Sequence, residues 1–244
     1  MKTIVVILAG GQGTRIRHLL PGLPKPLAPI NGKPFLEWII EFLAKQGLTD
    51  IVFSTGYLAD QIKNFVSNNQ LGLELRCADE ITPLGTAGGV LNALDSIEGN
   101  YDNALILNGD SLTLTDLSPL FESFKNLSVG VSMVGVKVRD AGRYGTLVTK
   151  DDGFLVGFKE KQPGGGVINA GIYLFRKEVL DKLPRAKNVS LELDVFPCLL
   201  HKKVLIKVIE VEAPFIDIGT EESLLDAPLF IDKNFNYFYS RGLK

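Results

Sequence analysis

Three glycines close together near the amino terminus give this chain a loop suited to holding an anion. They stand in the run Leu8-Ala9-Gly10-Gly11-Gln12-Gly13-Thr14-Arg15, directly after a strand-length apolar segment. Without side chains at these positions the backbone can approach a ligand closely, and successive N–H groups form a concave anion site. Arg15 adds a planar cation that fits phosphate oxygens. The run therefore predicts a site for the phosphates of a nucleoside triphosphate.

Two better-known glycine motifs do not fit this loop. A dinucleotide-binding fingerprint that starts at Gly11 needs a third glycine where Ile16 stands. A Walker loop needs Gly-Lys-Ser/Thr, whereas Gly32-Lys33 is followed by Pro34. For the glycines alone, the remaining alternative is a tight strand-to-helix turn that binds no ligand. The cations that follow the loop argue against that alternative.

Lys25 is the second cation that could meet a phosphate, and it lies between Pro24 and Pro26. Each proline fixes its own φ and restricts the residue before it. The lysine is therefore carried on a stiff segment, which loses less entropy when it is placed at a ligand than a flexible loop would. The alternative is a solvated loop lysine without a role.

Two aspartates are candidates for metal ligands. Asp110 follows the apolar run 104–107 and the pair Asn108-Gly109, and Asp217 follows another apolar pair. Ligands of open α/β sheets bind at the carboxyl ends of strands, where both carboxylates are expected. Mg²⁺ prefers oxygen ligands and commonly takes one or two carboxylates together with substrate phosphates. Each aspartate alone would fit a turn or a helix cap equally well.

The elements that must position these residues alternate in the first half of the chain. Apolar patterns predict strands at 3–8, 50–55, 73–77 and 104–107, separated by helical patterns from residue 35, over 62–66 and after Gly89. Strand-like pieces without helices between them follow at 129–138, 145–148, 154–158 and 167–175. Helical patterns return at 177–183 and 193–200, before a strand at 204–211. We expect a single Rossmann-like (GT-A-like) α/β domain with a mixed, mainly parallel central sheet and antiparallel additions in its second half.

Composition excludes several other classes of protein. With 244 residues, 45% of them apolar, the chain can bury the core of one large domain. A net charge of −2 leaves no basic stripe for nucleic acid. The sequence contains no apolar stretch long enough for a membrane span and no signal peptide at its start. Cys77 and Cys198, with only two histidines besides, have no zinc-like spacing, and we expect both thiols to be reduced in the cytoplasm.

The motifs together resemble those of the sugar-1-phosphate nucleotidyltransferase family, whose members join a nucleoside triphosphate to a sugar 1-phosphate and release pyrophosphate. Besides the opening loop and the Pro-Lys-Pro segment, they are Glu80-Ile81-Thr82-Pro83-Leu84-Gly85-Thr86-Ala87-Gly88, Leu107-Asn108-Gly109-Asp110, Tyr144-Gly145, Phe158-Lys159-Glu160-Lys161, Asn169-Ala170-Gly171 and Phe215-Ile216-Asp217-Ile218-Gly219. They stand in the family's order within residues 1–225, the predicted catalytic domain. One departure is Phe215, where many members have tryptophan; the resemblance therefore implies the metal site but not the shape of the sugar pocket.

The resemblance implies a role for each motif residue. Arg15 would face the leaving pyrophosphate, Lys25 would contact the transferred group, and Asp110 and Asp217 would hold Mg²⁺. The implied nucleotide-binding residues are Leu8, Ala9, Gly10, Gly11, Gly13, Thr14, Pro83, Gly85 and Thr86. The implied sugar-binding residues are Asn108, Gly109, Gly145, Glu160, Lys161 and Asn169. Without the resemblance, 83–86 would be a plain helix-entry loop, and the charged pair at 160–161 would be a solvated turn.

Within the family the chain is most similar to guanylyltransferases that act on a manno-configured heptose 1-phosphate. The implied substrates are GTP and that sugar phosphate, and the product is GDP-heptose for cell-surface polysaccharide. Transfer to mannose 1-phosphate, uridylyl transfer to N-acetylmuramic acid 1-phosphate, and a catalytically silent nucleotide-binding regulator remain alternatives. A nicotinamide-dependent enzyme is disfavoured by Ile16. The segment 226–244 would pack on the core or form a subunit contact in a homodimer.

Overall fold

Strands and helices alternate in the first half of the chain, and strands predominate in its middle. The computed structural model describes residues 1–68, 72–159, 164–185 and 188–238. The strands are β1 (Thr3–Leu8), β2 (Pro29–Ile30), β3 (Lys33–Pro34), β4 (Asp50–Thr55), β5 (Glu74–Asp79), β6 (Asn103–Asn108), β7 (Ser111–Thr113), β8 (Val129–Val138), β9 (Thr146–Thr149), β10 (Leu155–Lys159), β11 (Gly166–Arg176), β12 (Leu205–Val211) and β13 (Phe215–Asp217). The helices are α1 (Phe35–Lys45), α2 (Ala59–Asn68), α3 (Gly85–Asp95), α4 (Ser118–Ser123), α5 (Lys177–Leu180), α6 (Phe196–His201) and α7 (Glu221–Lys233), with a π-helical turn at Leu191–Val195 and 3₁₀ turns at Arg17–Leu19, Lys25–Leu27 and Phe235–Tyr237. None of the helices in these ranges is both long and apolar enough to cross a bilayer.

The central sheet is mixed, as the sequence predicts. Within the described residues it contains nine strands, in the order β10-β9-β11-β6-β1-β4-β5, with β8 joined to β11 and β12 joined to β8. The strands of the first half, β6, β1, β4 and β5, run parallel to one another. In the second half, β11 runs antiparallel to β6, β8 and β9. The predicted α/β class with antiparallel additions is confirmed.

Strand β1 is apolar from residue 4 to residue 8, as expected for a strand with both faces covered by helices. Val5 and Ile7 pack in the layer that contains α1, and Ile4 and Val6 pack on the opposite side with residues of α3 and α6. All four side chains are fully buried. Each such burial contributes about 1.5–3 kcal/mol of hydrophobic free energy, relative to leaving the side chain exposed. With both faces covered, the ends of the strands are the part of the sheet that can meet a ligand.

The beginning of helix α3 differs from the sequence prediction. The sequence predicts a helix after Gly89, but the helix begins at Gly85 and includes glycines in spite of their low helix propensity. Two close approaches explain the glycines. A Cβ at Gly85 would lie 2.5 Å from the Val189 carbonyl oxygen, and a Cβ at Gly89 would lie 2.6 Å from Oε1 of Glu80. Both positions therefore need glycine for their neighbours, and the helix forms in spite of them.

Helix α7 crosses residue 225, where the predicted catalytic domain ends. The helix is capped by Thr220, whose hydroxyl accepts from the backbone N–H of Ser223 in a capping box. Beyond it, Phe235 and Phe238 lie edge-on to the ring of Trp38 in α1, with centroid distances of 6.1 and 5.0 Å. The aromatic residues after α7 thus pack, as far as residue 238, on the same layer as α1.

Candidate active site

The glycine loop lies between two neighbouring clefts at the carboxyl end of β1. The smaller cleft, of about 210 Å³, is lined by Leu8, Gly11, Gly13, Thr14, Arg15, Ile16, Lys25, Pro26, Asp110 and Gly219. The larger, of about 420 Å³, is lined by Leu8, Gly10, Gly11, Gln12, Gly56, Tyr57, Glu80, Ile81, Pro83, Gly85 and Thr86. Because Leu8 and Gly11 line both clefts, one extended ligand can lie along the loop and reach into each.

Every predicted nucleotide-binding residue except Ala9 lines one of these clefts. Ala9 is 1% exposed, and its N–H donates to the carbonyl of Ser54 at 2.8 Å, so its part is to fix the loop to β4. Gly13 has a φ of +56°, and a Cβ there would lie 3.1 Å from Cβ of Lys25. The loop therefore needs glycine at this position both for its backbone conformation and for its contact with the lysine.

Lys25 is a buried cation in the smaller cleft. It lies in the 3₁₀ turn Lys25–Leu27, is 8% exposed, and its Nζ donates to Oδ2 of Asp110 at 2.6 Å. The alternative of a solvated loop lysine is therefore wrong. Arg15 lines the same cleft from an exposed position on the loop. The cleft thus offers one fixed cation and one that remains accessible to an anionic ligand.

A short two-stranded sheet brings the predicted metal ligands together. Strand β13 pairs antiparallel with β7, and Asp217 stands opposite Ser111, the neighbour of Asp110. The N–H of Ile218 donates to the backbone carbonyl of Asp110 at 2.9 Å. The carboxylate of Asp217 is fixed in turn, since its Oδ1 accepts from the N–H of Gly219 at 3.0 Å.

Tyr144 and Arg143 hold the other oxygen of Asp217. The hydroxyl of Tyr144 donates to Oδ2, and Nη2 of Arg143 lies 3.4 Å from the same atom. Burial, followed by the hydrogen bond to Asp217, raises the pKa of Tyr144 above its ordinary value, so the phenol stays protonated and remains a donor. Sequence reasoning noted Tyr144 beside Gly145 and gave it no role.

Gly219 leaves a small space that three charged groups face. A Cβ at this residue would lie 2.5 Å from Oδ1 of Asp217, 3.1 Å from Nη2 of Arg15 and 3.4 Å from Nζ of Lys25. The backbone at Gly219 does not have the positive φ that would itself demand glycine. The glycine is thus explained by the side chains around it, which come together from the loop, the 3₁₀ turn and the end of β13.

The predicted sugar-binding residues Asn108, Gly145 and Asn169 meet around Gly171. The N–H of Asn169 points at the carbonyl of Gly145 at 3.5 Å, and its Oδ1 accepts from the N–H of Gly171 at 3.0 Å. Gly171 has a φ of +70°, and a Cβ there would overlap the side-chain amide of Asn108. This convergence sits at a shift in the register of β11 between Asn169 and Tyr173, the kind of irregularity that re-aims side chains beside active sites.

Gly109 brings the chain between Asn108 and Asp110 close to β1. Its N–H donates to the carbonyl of Leu8 at 2.9 Å, and a Cβ would lie only 2.6 Å from that oxygen. Gly109 therefore contributes close packing of the backbone at this point. The predicted sugar-binding residues Glu160 and Lys161 lie outside the described residues.

Glu80 is a polar residue of the larger cleft to which sequence reasoning assigned no role. It follows β5, and its Oε1 accepts from the hydroxyl of Ser54 at 2.7 Å, while its Oε2 accepts from the N–H of Leu84 at 3.1 Å. Gly10 and Gly89 leave room for its carboxylate, because a Cβ at either would approach Oε1 to within 3.1 and 2.6 Å. A carboxylate at the end of a strand, with small residues kept around it, was the signal that could have identified it.

The fold and the two clefts define a nucleotidyl transferase. Residues 4–234 match the family model described as Nucleotidyl transferase, and the chain belongs to this family. The family predicted from the motifs is thereby confirmed, and the protein is an enzyme.

Particular relatives are similar over most of the chain. It is 35% identical over 215 residues to the D-glycero-alpha-D-manno-heptose 1-phosphate guanylyltransferase of Aneurinibacillus thermoaerophilus, covering 88% of this chain and 92% of that protein. It is also 35% identical over 198 residues to the mannose-1-phosphate guanylyltransferase of Mycobacterium tuberculosis, covering 80% of this chain and 55% of that protein. The crystal structure of HddC from Yersinia pseudotuberculosis complexed with GMP-PN matches with a TM-score of 0.81 and 34% identity, over 94% of this chain and 99% of that one.

Proposed function

We propose that this protein transfers a guanylyl group from GTP to D-glycero-α-D-manno-heptose 1-phosphate and releases pyrophosphate. The reaction type is inferred from one observation. The side chains of Arg15, Lys25 and Asp217 all lie close to Gly219. Phosphoryl-type transfers are catalysed mainly by alignment of the reacting atoms and by cations that face the developing charge. The smaller cleft supplies both, next to a loop suited to a triphosphate.

In this reaction a phosphate oxygen of the sugar 1-phosphate attacks the α-phosphorus of GTP. A new P–O bond forms, the bond between the α-phosphorus and the bridging oxygen breaks, and pyrophosphate leaves with the electron pair. The attacking phosphate is already an anion near neutral pH, so the step needs no general base. Arg15 would neutralise the leaving pyrophosphate, and Lys25, held by Asp110, would stabilise charge on the transferred group.

The two aspartates fit the binding of Mg²⁺. Within the described residues, no group of three or more His, Cys, Asp or Glu side chains forms a complete metal cluster. Two carboxylates are nevertheless a common protein contribution to a Mg²⁺ site, where substrate phosphates and water supply the other ligands. Asp110 keeps 41% of its side chain exposed, and the Asp217 carboxylate is fixed by hydrogen bonds. When bound there, Mg²⁺ would supply further neutralisation of the phosphate charge.

Glu80 is the feature of this chain that favours guanine as the base. The Watson–Crick edge of guanine presents two adjacent donors, N1–H and the 2-amino group, which match the two oxygens of one carboxylate. A carboxylate accepts about four hydrogen bonds, and two are used by Ser54 and Leu84, so acceptor capacity remains on each oxygen. Uracil and thymine would instead set carbonyl oxygens against the carboxylate, which is repulsive.

Replacing Glu80 by glutamine tests this assignment. We expect kcat/KM for GTP to fall by about 30-fold, because one hydrogen bond to a charged acceptor is lost and an amide N–H₂ is set against guanine donors. Selectivity against UTP and dTTP should narrow, since an amide can pair with the donor and acceptor of a pyrimidine edge. Steady-state kinetics with the three nucleotides measures both effects. Glu74→Gln, at the exposed first residue of β5, is the control, and equal losses in the two variants would remove Glu80 from base recognition.

Mannose 1-phosphate is the second candidate for the sugar substrate. It is favoured by the Mycobacterium tuberculosis relative, whose identity to this chain equals that of the heptose enzyme. The match to the heptose enzyme covers more of this chain, 88% against 80%, and supports heptose as the first choice. The two sugars differ by one hydroxymethyl group, whose methylene is worth about 1–3 kcal/mol in an apolar pocket and whose hydroxyl adds to the discrimination where the pocket hydrogen-bonds it.

The experiment that tests the proposed function is a matrix of pyrophosphate release with Mg²⁺. GTP, dTTP, UTP, CTP and ATP are each combined with the 1-phosphates of heptose, mannose, glucose and N-acetylmuramic acid. We expect the highest kcat/KM with GTP and the heptose phosphate. A maximum with GTP and mannose 1-phosphate would move the function to the second candidate. No release from any pair, with GTP still bound in a calorimetric titration, would identify a silent nucleotide-binding protein.

A further inference from the structure

The segment 189–192 is fixed to residues 84–87, which begin helix α3 and include Gly85 and Thr86 of the larger cleft. The N–H of Val189 donates to the carbonyl of Leu84 at 3.0 Å, and the N–H of Ala87 donates to the carbonyl of Val189 at 2.9 Å. The N–H of Leu191 donates to Oγ1 of Thr86 at 2.7 Å. These three hydrogen bonds hold the beginning of the π-helical turn Leu191–Val195 against the first turn of α3.

Glu192, in that π-helical turn, connects the first turn of α3 to the central sheet. Its Oε2 accepts from the hydroxyls of Thr86 and Ser190 at 3.1 and 3.0 Å. Its Oε1 accepts from the hydroxyl of Tyr173 in β11 at 3.1 Å. One carboxylate thus bridges two elements that are far apart in sequence. Single π-helical turns are rare and frequently lie at functional sites, and Glu192 is the second residue of this one.

Tyr173 connects Glu192 to Asn169, one of the predicted sugar-binding residues. Its ring is fully buried against Phe196, and its hydroxyl accepts from Nδ2 of Asn169 at 2.8 Å while donating to Glu192. Burial raises the pKa of Tyr173 well above its ordinary value, so the hydroxyl keeps the proton that it donates. Since Oδ1 of Asn169 accepts from the N–H of Gly171, both ends of the amide are fixed.

We propose that Glu192 is a positioning residue that couples the nucleotide cleft to the sugar-phosphate side through Tyr173 and Asn169. The proposal rests on the proposed function, since Asn169 is assigned there to the sugar. The buried chain of hydrogen bonds orients the Asn169 amide and keeps its remaining N–H and lone pair available for a sugar hydroxyl. Because Thr86 shares the same carboxylate, the amide is held best when the first turn of α3 is in place.

Three substitutions and one control separate positioning from general stability. We expect Glu192→Ala and Tyr173→Phe each to raise KM for the sugar 1-phosphate by about tenfold, the effect of one lost hydrogen bond that orients a ligand group, with KM for GTP changed less than about twofold. Glu192→Gln should recover most of the loss, because its amide oxygen still accepts from Tyr173. Asp194→Asn is the control, since its carboxylate accepts from the N–H of Ser190 in the same turn and supports only the turn.

The readouts are both KM values, kcat and the melting temperature of each variant. Glu192 is only partly buried, so the glutamine and alanine variants test the proposal even if Tyr173→Phe folds poorly. A wild-type KM for the sugar phosphate in Glu192→Ala, or the same change in Asp194→Asn, would overturn the positioning role alone. If wild-type enzyme releases no pyrophosphate with any sugar 1-phosphate, the proposed function and this inference fail together.

Discussion

Replacing Asp110 by asparagine is expected to lower kcat by about 10³-fold, the scale of effect seen when a group that stabilises transition-state charge is removed. The carboxylate of Asp110 has two roles in the proposed reaction. It holds Nζ of the buried Lys25 at 2.6 Å, and it is one of the two side chains assigned to Mg²⁺. An amide keeps the shape of the side chain and loses the negative charge on which both roles depend.

The fold should survive this substitution. The side chain of Asp110 is 41% exposed and the amide oxygen of asparagine can still accept from Lys25, so losing the charge partner of this buried lysine should lower the melting temperature by about 5 °C without unfolding the protein. Asp181→Asn is the matched control, because it breaks another lysine–carboxylate contact of 2.6 Å, with Lys177, that lines neither cleft. For both variants, pyrophosphate release measures kcat and thermal unfolding measures the melting temperature. Retention of more than a tenth of wild-type kcat in Asp110→Asn would contradict the assigned role.

The part of the site that depends on one loop or the end of one strand could be predicted from the sequence. The apolar run of β1 followed by glycines predicted the loop, since both signals are local and physically distinct. The same logic placed Asp110 at the carboxyl end of β6. These predictions succeed because a buried parallel strand needs a continuous apolar run, and its end is where a ligand site can form.

Contacts between distant segments could not be predicted in this way. Lys25 and Asp110 are separated by 85 residues, and from the sequence a solvated loop lysine remained an alternative for Lys25. Only the pairing of β13 with β7 sets Asp217 beside the neighbour of Asp110, and strands of three residues carry little periodic signal. Glu192 is harder still to predict, because it lies in a π-helical turn and its contact with Tyr173 joins residues that are 19 positions apart.

The helix α3 shows how tertiary contacts override local propensity. The predicted helix begins after Gly89, whereas the helix in the structure begins at Gly85 and includes residues of low helix propensity. Each of these glycines serves a neighbour instead: one admits the Val189 backbone, and the other admits the Glu80 carboxylate. Each glycine lowers helix propensity by about 1 kcal/mol, but a larger residue would clash with its neighbour at the site.

Substituting alanine for Gly219 is expected to lower kcat/KM by about 100-fold, because displacing a catalytic group by about 1 Å costs that much when alignment supplies the rate. The new methyl group would lie 2.5 Å from Oδ1 of Asp217, which is closer than real Cβ contacts allow, so this carboxylate must move. It would also stand 3.1 Å from Nη2 of Arg15 and 3.4 Å from Nζ of Lys25, in the space assigned to the phosphates. No charge is removed, so the loss would come from geometry.

The control for Gly219→Ala is Gly157→Ala in β10. A Cβ at Gly157 meets no other heavy atom within 4 Å among the described residues, and its backbone also lacks a positive φ. The two variants therefore introduce the same methyl group and differ only in what it touches. We expect weaker Mg²⁺ binding in calorimetric titrations of Gly219→Ala with nucleotide present, and unchanged binding in Gly157→Ala. If Gly219→Ala kept wild-type turnover and metal affinity, the position of the Asp217 carboxylate could not be what limits the reaction, and its assignment as a metal ligand would have to be withdrawn.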